Sequence, residues 1–248
     1  MSELDRIKYI AQNTQGRDFV CGDLHGSFDL LERKLLDVKF DRSTDRLFCV
    51  GDIIDRGKGS AKALFYLKQS WFYCIRGNHE QMLLDWCIRE SARERLDAFR
   101  FHMLNGGNWV ADFLEVDLAR LASDVTGDEP ILKCYPQLSE WVVELGRMPF
   151  AMEIQHASKT VGLIHAEIPK GIHWSDLPEQ LHQPNVLNSI LYSRKYINGN
   201  PILNQYHIDG IDEIYSGHTI LDKRRQIGNV HYIDTGAYTY SNLTLVQL

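Results

Sequence analysis

The first third of the chain repeats one pattern of apolar and polar positions. Short apolar runs typical of β-strands occupy residues 18–21, 47–50 and 71–75. Segments that space apolar residues three and four apart, as amphipathic helices do, occupy residues 28–38, 60–68 and 80–89. This alternation predicts parallel strands joined by right-handed helical crossovers. Ligands of such sheets bind beyond the carboxyl ends of the strands, so we expect a site there.

Further apolar runs in the second half of the chain predict a second sheet. They occupy residues 150–154, 160–164, 213–215, 230–233 and 243–247, and two of them end near His165 and His218. We therefore predict an α/β fold with a βαβαβ core, in which two packed mixed β-sheets form a β-sandwich flanked by helices. The site would lie along one edge of this sandwich.

The segment 89–145 has a different character. It shows no strand-like alternation, its charges cluster, and Asn105-Gly106-Gly107-Asn108 interrupts the helical pattern. We predict that it forms a helical cap. Because no stretch of the chain is typical of a linker, we expect the cap to be an insertion in a single domain of residues 1–248.

The composition narrows the class of protein. Of the 248 residues, 44% are hydrophobic and 24% are charged, and no apolar stretch approaches the ~20 residues that a membrane span needs. The net charge of −6 argues against a general nucleic-acid binder, which normally carries a basic face. We expect neither a membrane nor a nucleic acid as a partner.

The cysteines and the start of the chain indicate the compartment. The chain has five cysteines, and Cys21, Cys49 and Cys74 end strand-like runs. Buried thiols in a reducing compartment fit this placement better than disulfides do. Residues 1–15 carry charges throughout and lack the apolar centre of a signal peptide. We therefore expect a cytoplasmic protein without disulfides.

Three motifs directly follow the predicted parallel strands. They are Gly22-Asp23-Leu24-His25-Gly26, Gly51-Asp52-Ile53-Ile54-Asp55-Arg56-Gly57 and Arg76-Gly77-Asn78-His79-Glu80. Together with two later histidines, they supply the oxygen and imidazole donors of a metal site. The candidate ligands are Asp23, His25, Asp52, Asn78, His165 and His218. We expect Asp52 to bridge two ions, because each carboxylate oxygen can reach a different one.

This donor set predicts a two-metal phosphoester hydrolase. Mixed oxygen and imidazole ligands suit manganese, iron, zinc, nickel or cobalt better than calcium. Two such divalent ions, ~3.5–4 Å apart, would generate a bridging hydroxide that attacks phosphorus in line. His79 is the candidate general acid, and Asp55 would orient its ring. Arg56 and Arg76 are candidates for binding the phosphate oxygens.

Each motif alone also has an ordinary explanation. An Asp-x-His in a turn is more often a capping pair, and a histidine at a strand end is commonly a hydrogen-bonded structural residue. The joint occurrence of the motifs after consecutive strands favours the metal site. The remaining histidines have no such context, and we predict that they are structural or surface residues: His102, His156, His173, His182, His207 and His231.

The three motifs resemble the signatures Gly-Asp-x-His-Gly, Gly-Asp-x-x-Asp-Arg-Gly and Gly-Asn-His-Glu of the phosphoprotein phosphatase family, within the calcineurin-like metallophosphoesterases. The resemblance extends over nearly the whole chain and is closest to the compact bacterial and bacteriophage serine/threonine protein phosphatases. It also includes Trp71-Phe72, Asn105-Gly106-Gly107-Asn108-Trp109, Leu163-Ile164-His165-Ala166, Ser216-Gly217-His218-Thr219, Ile233-Asp234-Thr235-Gly236-Ala237 and Asn242-Leu243-Thr244-Leu245.

The resemblance implies roles that the residues alone leave open. It implies that His165 and His218 are metal ligands and that Arg194 is a further phosphate-binding arginine, with Lys195 as the competing candidate. It also implies a metallophosphoesterase ββ-sandwich flanked by helices and a dinuclear centre that is typically active with manganese. The implied reaction is hydrolysis of phosphoserine or phosphothreonine, and sometimes of phosphotyrosine.

Three functions are compatible with these motifs. We expect a manganese-dependent protein phosphatase whose partner is a phosphorylated protein or peptide. The alternative enzyme is a symmetrical dinucleoside-tetraphosphate hydrolase, which shares these motifs. A metal-bound scaffold without turnover is disfavoured, because every residue that the chemistry needs is present. We expect the segments 89–145 and 167–188, especially residues 173–177, to overhang the site and select the substrate. The oligomeric state is left open.

Overall fold

The computed structural model describes residues 6–199 and 205–248, which form two β-sheets and the helices that cover them. The strands are β1 (Ile7–Ile10), β2 (Asp18–Cys21), β3 (Arg46–Cys49), β4 (Phe72–Cys74), β5 (Ala151–His156), β6 (Lys159–Ile164), β7 (Glu213–Ser216), β8 (Arg225–Ile227), β9 (Val230–Tyr232) and β10 (Leu245–Gln247). One sheet has the order β10-β2-β3-β4, and the other has the order β1-β5-β6-β7-β9-β8. The strands β2, β3 and β4 are parallel to one another, as are β6, β7 and β9.

Most helices lie between β2 and β5 in the chain. The helices are α1 (Phe28–Asp37), α2 (Ala63–Leu67), α3 (Asn78–Ile88), α4 (Ala92–Leu104), α5 (Trp109–Phe113), α6 (Leu118–Val125), α7 (Ile131–Cys134), α8 (Leu138–Arg147), α9 (Leu177–Gln180), α10 (Pro184–Tyr192) and α11 (Ala237–Tyr240). Ser91 and Asp117 begin α4 and α6 as N-caps, because their side chains accept main-chain N–H groups of the first turn. The predicted cap segment is thus helical over α4 to α8.

Alternation along the strands sorts the core into layers. Successive side chains of a strand point to opposite faces of the sheet. In β2, Phe19 and Cys21 pack with the helices α1 to α8, whereas Val20 packs between the two sheets. Leu163 of β6 and Phe48 of β3 share that inner layer with Val20.

The six-stranded sheet buries its outer face against the later helices. Ile164 and Ile214 pack there with Leu177 of α9 and Ile190 of α10. The order of layers is therefore helices, sheet, sheet, helices, which confirms the predicted fold class.

Two edge strands escaped the sequence analysis. In β1 only Ile7 and Ile10 are buried, so its charged neighbours conceal the strand, which pairs in parallel with β5. The strand β8 has the polar sequence Arg-Gln-Ile and pairs only with β9 among the described residues. Edge strands bury little side-chain surface, and hydrophobic periodicity is therefore a weak signal for them.

The cysteines are free thiols, four of them buried and Cys134 exposed. Cys21, Cys49 and Cys74 lie at matching positions of the neighbouring strands β2, β3 and β4, where their side chains join the core beneath the helices. None of the helices in residues 6–199 and 205–248 has the length and apolar character to cross a membrane.

Asp45 ties the turn before β3 to the segment before β2. Its buried carboxylate accepts hydrogen bonds from Arg17 N at 2.7 Å, Arg17 Nη2 at 2.6 Å and Asp41 N at 3.0 Å. Burial opposes ionisation, but these donors bring the pKa of Asp45 below its usual value. A lowered folded-state pKa stabilises the fold above the unfolded-state pKa of about 4, and this contribution is lost as the pH falls through the folded-state pKa.

Asp45→Asn should therefore lower the free energy of unfolding by about 1–3 kcal/mol near neutral pH, and the difference from the parent protein should shrink below about pH 4. Urea unfolding measured at neutral and acid pH tests both expectations. Asp37→Asn alters an exposed carboxylate and should change the free energy of unfolding by less than about 0.5 kcal/mol. A difference for Asp45→Asn that stays constant into acid would contradict the role of its charge.

Candidate metal centre

Residues that follow strands of both sheets meet at one edge of the sandwich. Asp23, Asp52 and Asn78 follow β2, β3 and β4, while His165, His218 and Asp234 follow β6, β7 and β9. His165 Nε2 lies 3.4 Å from Asp52 Oδ2 and 2.9 Å from Asn78 Oδ1, so the two sheets are in contact here through polar side chains. His218 Nδ1 also lies 2.9 Å from Asn78 Oδ1. The structure thus brings candidate ligands from both sheets together.

The backbone of this edge adopts unusual conformations. Nine non-glycine residues of the described chain have positive φ, and five of them belong to the predicted site: His25, Asp52, Asp55, Arg56 and His218. Such conformations cost about 1–3 kcal/mol each and cluster at functional sites. Glu80 helps to hold the turn that carries Asp52, because its buried carboxylate accepts Asp52 N and Ile53 N at 2.9 Å and Gly77 N at 2.8 Å.

Asp52 is shared by two groups of possible metal ligands. One group contains His25, Asp52 and His79, and the other contains Asp52, His165 and His218. Asp52 Oδ2 lies 3.6 Å from His25 Nε2 and 3.8 Å from His79 Nε2. A carboxylate that faces ligands on both sides is the arrangement that a bridging role requires, and that role stays a prediction.

Main-chain carbonyls fix the tautomers of three histidines. His25 Nδ1 lies 2.9 Å from Ile54 O, His165 Nδ1 lies 2.8 Å from Val50 O, and His218 Nε2 lies 3.1 Å from Tyr192 O. A carbonyl oxygen only accepts, so each of these nitrogens donates. In the neutral ring the other nitrogen then carries a lone pair that faces the cluster, which is the usual arrangement of metal-binding histidines.

Burial keeps two of these rings neutral. Burial lowers the pKa of His25 to about 3, although the Asp52 charge opposes the shift. Burial, together with neighbouring His165, lowers the pKa of His218 to about 2. Neutral imidazole is the form that binds a metal ion.

The carboxylates of the site repel one another. Burial and the nearby Asp234 and Asp52 raise the pKa of Asp23 well above its usual value. Burial also opposes ionisation of Asp52, but His165 and the other histidines around it hold its pKa well below the usual value. A bound cation would relieve the repulsion between Asp23 and Asp52.

The donors present fit divalent cations. Asp23 Oδ1 and His79 Nε2 are buried, and neither has a hydrogen-bond partner among the described residues. The lone pair of neutral His218 Nδ1 faces the carbonyl oxygen of Asn78 at 2.9 Å, so an acceptor opposes an acceptor. Buried acceptors without donors are costly, and cations between them would remove the cost.

Asp55 binds the His79 ring at Nδ1, and the other ring nitrogen, Nε2, is the one without a hydrogen-bond partner among the described residues. His79 Nδ1 lies 2.6 Å from Asp55 Oδ2. Burial disfavours the charge of Asp55, but His102 and His79 bring its pKa well below the usual value. Ionised Asp55 only accepts, so His79 Nδ1 donates and Nε2 is the nitrogen that can deliver a proton to a substrate.

His102 also contacts Asp55, which the sequence pattern did not indicate. It was predicted to be a structural or surface residue; it is fully buried, and its Nε2 lies 2.9 Å from Asp55 Oδ2, so it contacts the candidate site. A methyl group added at Gly107 would lie 2.7 Å from the His102 ring. The adjacent Gly106-Gly107 pair is the sequence signal that could have identified a closely packed side chain here.

The predicted phosphate-binding arginines differ in their surroundings. Arg56 Nη1 lies 3.0 Å from His25 Nε2, and its guanidinium lies over the Tyr238 ring. Arg194 Nη2 donates to His218 O at 3.2 Å. Both therefore lie beside candidate ligands.

Arg76 lies farther back, against the end of α8. It donates to Gly146 O at 2.6 Å and to Gln81 Oε1 at 3.1 Å, and its guanidinium lies over the Phe150 ring. Burial lowers its pKa to about 10. Lys195, the competing candidate to Arg194, has its ammonium over the ring of Tyr196.

The segment 173–177 does not overhang the site. Trp174 lies close to Gly162 in the middle of β6. Its Nε1 donates to Glu153 of β5 at 2.7 Å, and its main-chain N donates to the carbonyl oxygen of Asp209, which precedes β7. These contacts place it on the outer face of the six-stranded sheet, away from the strand ends that carry His165 and His218. The expectation that this segment overhangs the site is therefore wrong, because the apolar Trp174 packs into the outer core.

Gly217 tests how tightly the site is built. A methyl group added there would lie 1.9 Å from Asp23 Oδ1 and 2.7 Å from Val50 Cγ2. We expect Gly217→Ala to displace Asp23 and to weaken binding of divalent metal by about ten- to a hundredfold, as loss of a ligand's support typically does. Titration of the metal-free protein by calorimetry measures the change. Gly146→Ala is the matched control, since a methyl group there meets no atom within 4 Å; equal affinity in both variants would contradict the expectation.

Comparisons with known proteins agree with this geometry. The family model described as "Calcineurin-like phosphoesterase" matches residues 19–222. "Serine/threonine-protein phosphatase 1" of Salmonella typhimurium is 34% identical over 230 residues, which cover 93% of this chain and 91% of that protein. "Bis(5'-nucleosyl)-tetraphosphatase, symmetrical" of Pasteurella multocida is 35% identical over 89 residues, or 34% of this chain and 32% of that protein.

A solved structure extends the likeness of fold to the whole chain. A protein serine/threonine phosphatase from Saccharomyces cerevisiae superimposes with a TM-score of 0.57 at 15% identity, covering 98% of this chain and 84% of that one. The family match spans the candidate ligands from Asp23 to His218. The chain therefore belongs to the calcineurin-like phosphoesterase family.

Proposed function

We propose that the protein hydrolyses phosphomonoesters of serine and threonine in proteins, and sometimes those of tyrosine, with two divalent ions. The observation that carries the proposal is the position of Asp52 between two ligand groups, with the free Nε2 of His79 beside the same carboxylate. Asp23, His25 and Asp52 would hold one ion. Asn78, His165 and His218 would hold the other, together with Asp52. When bound, the ions supply an activated water and neutralise phosphate oxygens.

The proton required by the leaving group would come from His79. Oxygen from water forms a bond to phosphorus as the bond from phosphorus to the serine or threonine oxygen breaks. The leaving oxygen takes the proton from His79 Nε2, so the products are the free hydroxyl group and inorganic phosphate. Asp55 accepts the hydrogen bond from His79 Nδ1, so that this proton stays on the ring, and stabilises the charged ring before transfer.

Arginines would orient the phosphate. Arg56 and Arg194 lie beside His25 and His218, so their guanidinium groups are positioned near the proposed ions. Arg76 belongs to the same proposal, although its present contacts are with Gly146 and Gln81. Bidentate hydrogen bonds from arginine suit the oxygens of a phosphate monoester.

Similarity over the whole chain supports the phosphoprotein substrate over the dinucleotide. The match to the serine/threonine-protein phosphatase covers 93% of this chain, whereas the match to the tetraphosphatase covers 34%. We propose manganese as the physiological metal, because the donors combine carboxylate, amide and imidazole groups. We also propose a cytoplasmic location, which the free thiols support.

Product analysis distinguishes the two enzymatic functions. Metal-stripped protein is reloaded with manganese, nickel, magnesium or zinc, and is given a panel of phosphopeptides and a symmetrical dinucleoside tetraphosphate. We expect inorganic phosphate from phosphoserine and phosphothreonine peptides, with manganese giving the highest rate. Nucleoside diphosphate from the dinucleotide, without phosphate from any peptide, would overturn the proposed substrate in favour of the alternative. Inactivity on every substrate with every metal would favour a scaffold.

A further inference from the structure

Two side chains of the segment 89–145 hold the carboxylate that orients His79. Asp55 Oδ1 accepts Trp109 Nε1 at 2.6 Å, and His102 Nε2 lies 3.0 Å from Asp55 Oδ1 and 2.9 Å from Asp55 Oδ2. His102 comes from α4 and Trp109 from the start of α5. Asp55 has no exposed surface, so these donors take the place of water at its oxygens.

A second tryptophan fixes the tautomer of His102. Trp86 Nε1 lies 2.9 Å from His102 Nδ1. The indole N–H only donates, so His102 Nδ1 accepts and the proton of the neutral ring must reside on Nε2. That proton points to Asp55. The hydrogen bonds thus run from Trp86 through His102 to Asp55, which also receives His79.

The backbone gives a reason for this support. Asp55 and Arg56 have φ values of 70° and 64°, and Arg56 N donates to Gly106 O at 3.1 Å. A carboxylate on such a turn has no regular helix or strand to fix its direction. Contacts from outside the turn must therefore set where its oxygens point, and the structure shows them coming from residues 102, 106 and 109.

We infer that His102 is a positioning residue for the general acid, acting through Asp55, and that the segment 89–145 is thereby part of the proton-delivering apparatus. The inference rests on the proposed phosphomonoesterase function. Loss of His102 removes one of the three side-chain donors given above for this buried carboxylate, so Asp55 can turn towards Trp109 and His79 Nε2 no longer points at the leaving oxygen. His102 itself touches no reacting atom.

The test compares leaving groups in the full chain reloaded with manganese. His102→Phe keeps a ring of similar size and removes both hydrogen bonds. We expect kcat for ethyl phosphate to fall about ten- to a hundredfold, the effect of one charge-assisted hydrogen bond, while KM and the bound manganese stay unchanged. Hydrolysis of p-nitrophenyl phosphate should fall less than about threefold, because its leaving group scarcely needs a proton.

Two further variants separate positioning from folding. Phe99→Leu also lies on α4 and loosens the packing on Trp86 without touching Asp55, so it should lower stability and leave the ratio of the two substrates unchanged. His102→Gln can still offer an N–H towards Asp55, and should recover most of the lost rate on ethyl phosphate. His102→Gln also keeps the inference testable if His102→Phe fails to fold. A loss of kcat in His102→Gln that is large and equal for both esters would then overturn the inference.

A double variant supplies the decisive readout. In the Asp55→Asn background, His102→Phe should reduce kcat less than about twofold further, because residues that act through one another are not additive. Equal losses on both esters, or a full additional loss in the double variant, would overturn the inference. Phosphopeptides enter none of these measurements, so failure of the proposed protein substrate is recognised separately. Inactivity of the parent enzyme on both simple esters and on every phosphopeptide would overturn both proposals.

Discussion

Asp52→Asn should lower the turnover of a phosphopeptide by more than about 10³-fold, because it weakens both ion sites at once. The substitution keeps the shape of the side chain and the oxygen that accepts His79 N at 3.0 Å. It removes the negative charge and the second carboxylate oxygen, which lies among His25, His79 and His165. An amide can coordinate through one oxygen only, so a bridge between two ions is lost.

Metal analysis of the Asp52→Asn variant checks this expectation independently of activity. After dialysis against trace manganese, we expect fewer than two ions bound per chain and weaker binding of both. Asp209→Asn provides the matched control, because it removes the same charge from an exposed side chain. Two tightly held ions in Asp52→Asn would show that Asp52 does not bridge them.

His79→Asn should separate chemistry from metal binding. We expect turnover of an alkyl phosphate such as a phosphoserine peptide to fall by about 10²–10⁴-fold, the usual contribution of a general acid. The asparagine side chain can still donate to Asp55, so the surrounding hydrogen bonds and the ions should remain in place. Bound metal measured after dialysis should match that of the parent enzyme.

An activated ester provides the internal control for His79→Asn. The nitrophenolate of p-nitrophenyl phosphate leaves without needing a proton, so its hydrolysis should fall far less than that of the alkyl ester. A loss of the same size on both esters would reject His79 as the proton donor. A simultaneous loss of metal would instead favour His79 as a ligand, which its place in one ligand group with His25 and Asp52 permits.

The meeting of the candidate residues at one edge was largely predictable because they follow strands. An apolar run indicates a buried strand, and the carboxyl ends of parallel strands share one edge. The proximity of Asp23, Asp52 and Asn78 to one another could therefore be inferred without coordinates. The histidines after the later strands needed more. Nothing in the pattern near His165 or His218 says which strands of the second sheet are parallel, so the residues alone made them weaker candidates, and the resemblance to a family strengthened their assignment as ligands.

The hydrophobic pattern could not predict contacts between segments that are distant in the sequence. His102 lies on a helix whose apolar spacing indicates only that one face is buried, and 47 residues separate it from Asp55. Trp174 illustrates the opposite error, since an aromatic residue in a loop suggested a substrate surface but packs into the outer core. Periodicity tells which side chains are buried and cannot tell against which partner.

The origin of the ligands in two different sheets has a mechanical consequence. Asp23, Asp52 and Asn78 extend from one layer of the sandwich, and His165 and His218 extend from the other. An ion held by both sets would link the two sheets. It would add to the apolar packing of Val20, Phe48 and Leu163 between them. Metal binding then also stabilises the contact between the sheets. At a free metal concentration a thousandfold above Kd, binding stabilises the folded protein by about 4 kcal/mol. Chelation should accordingly speed amide hydrogen exchange at the carboxyl ends of β3 and β6 more than at their starts, so that the sandwich opens from its catalytic edge.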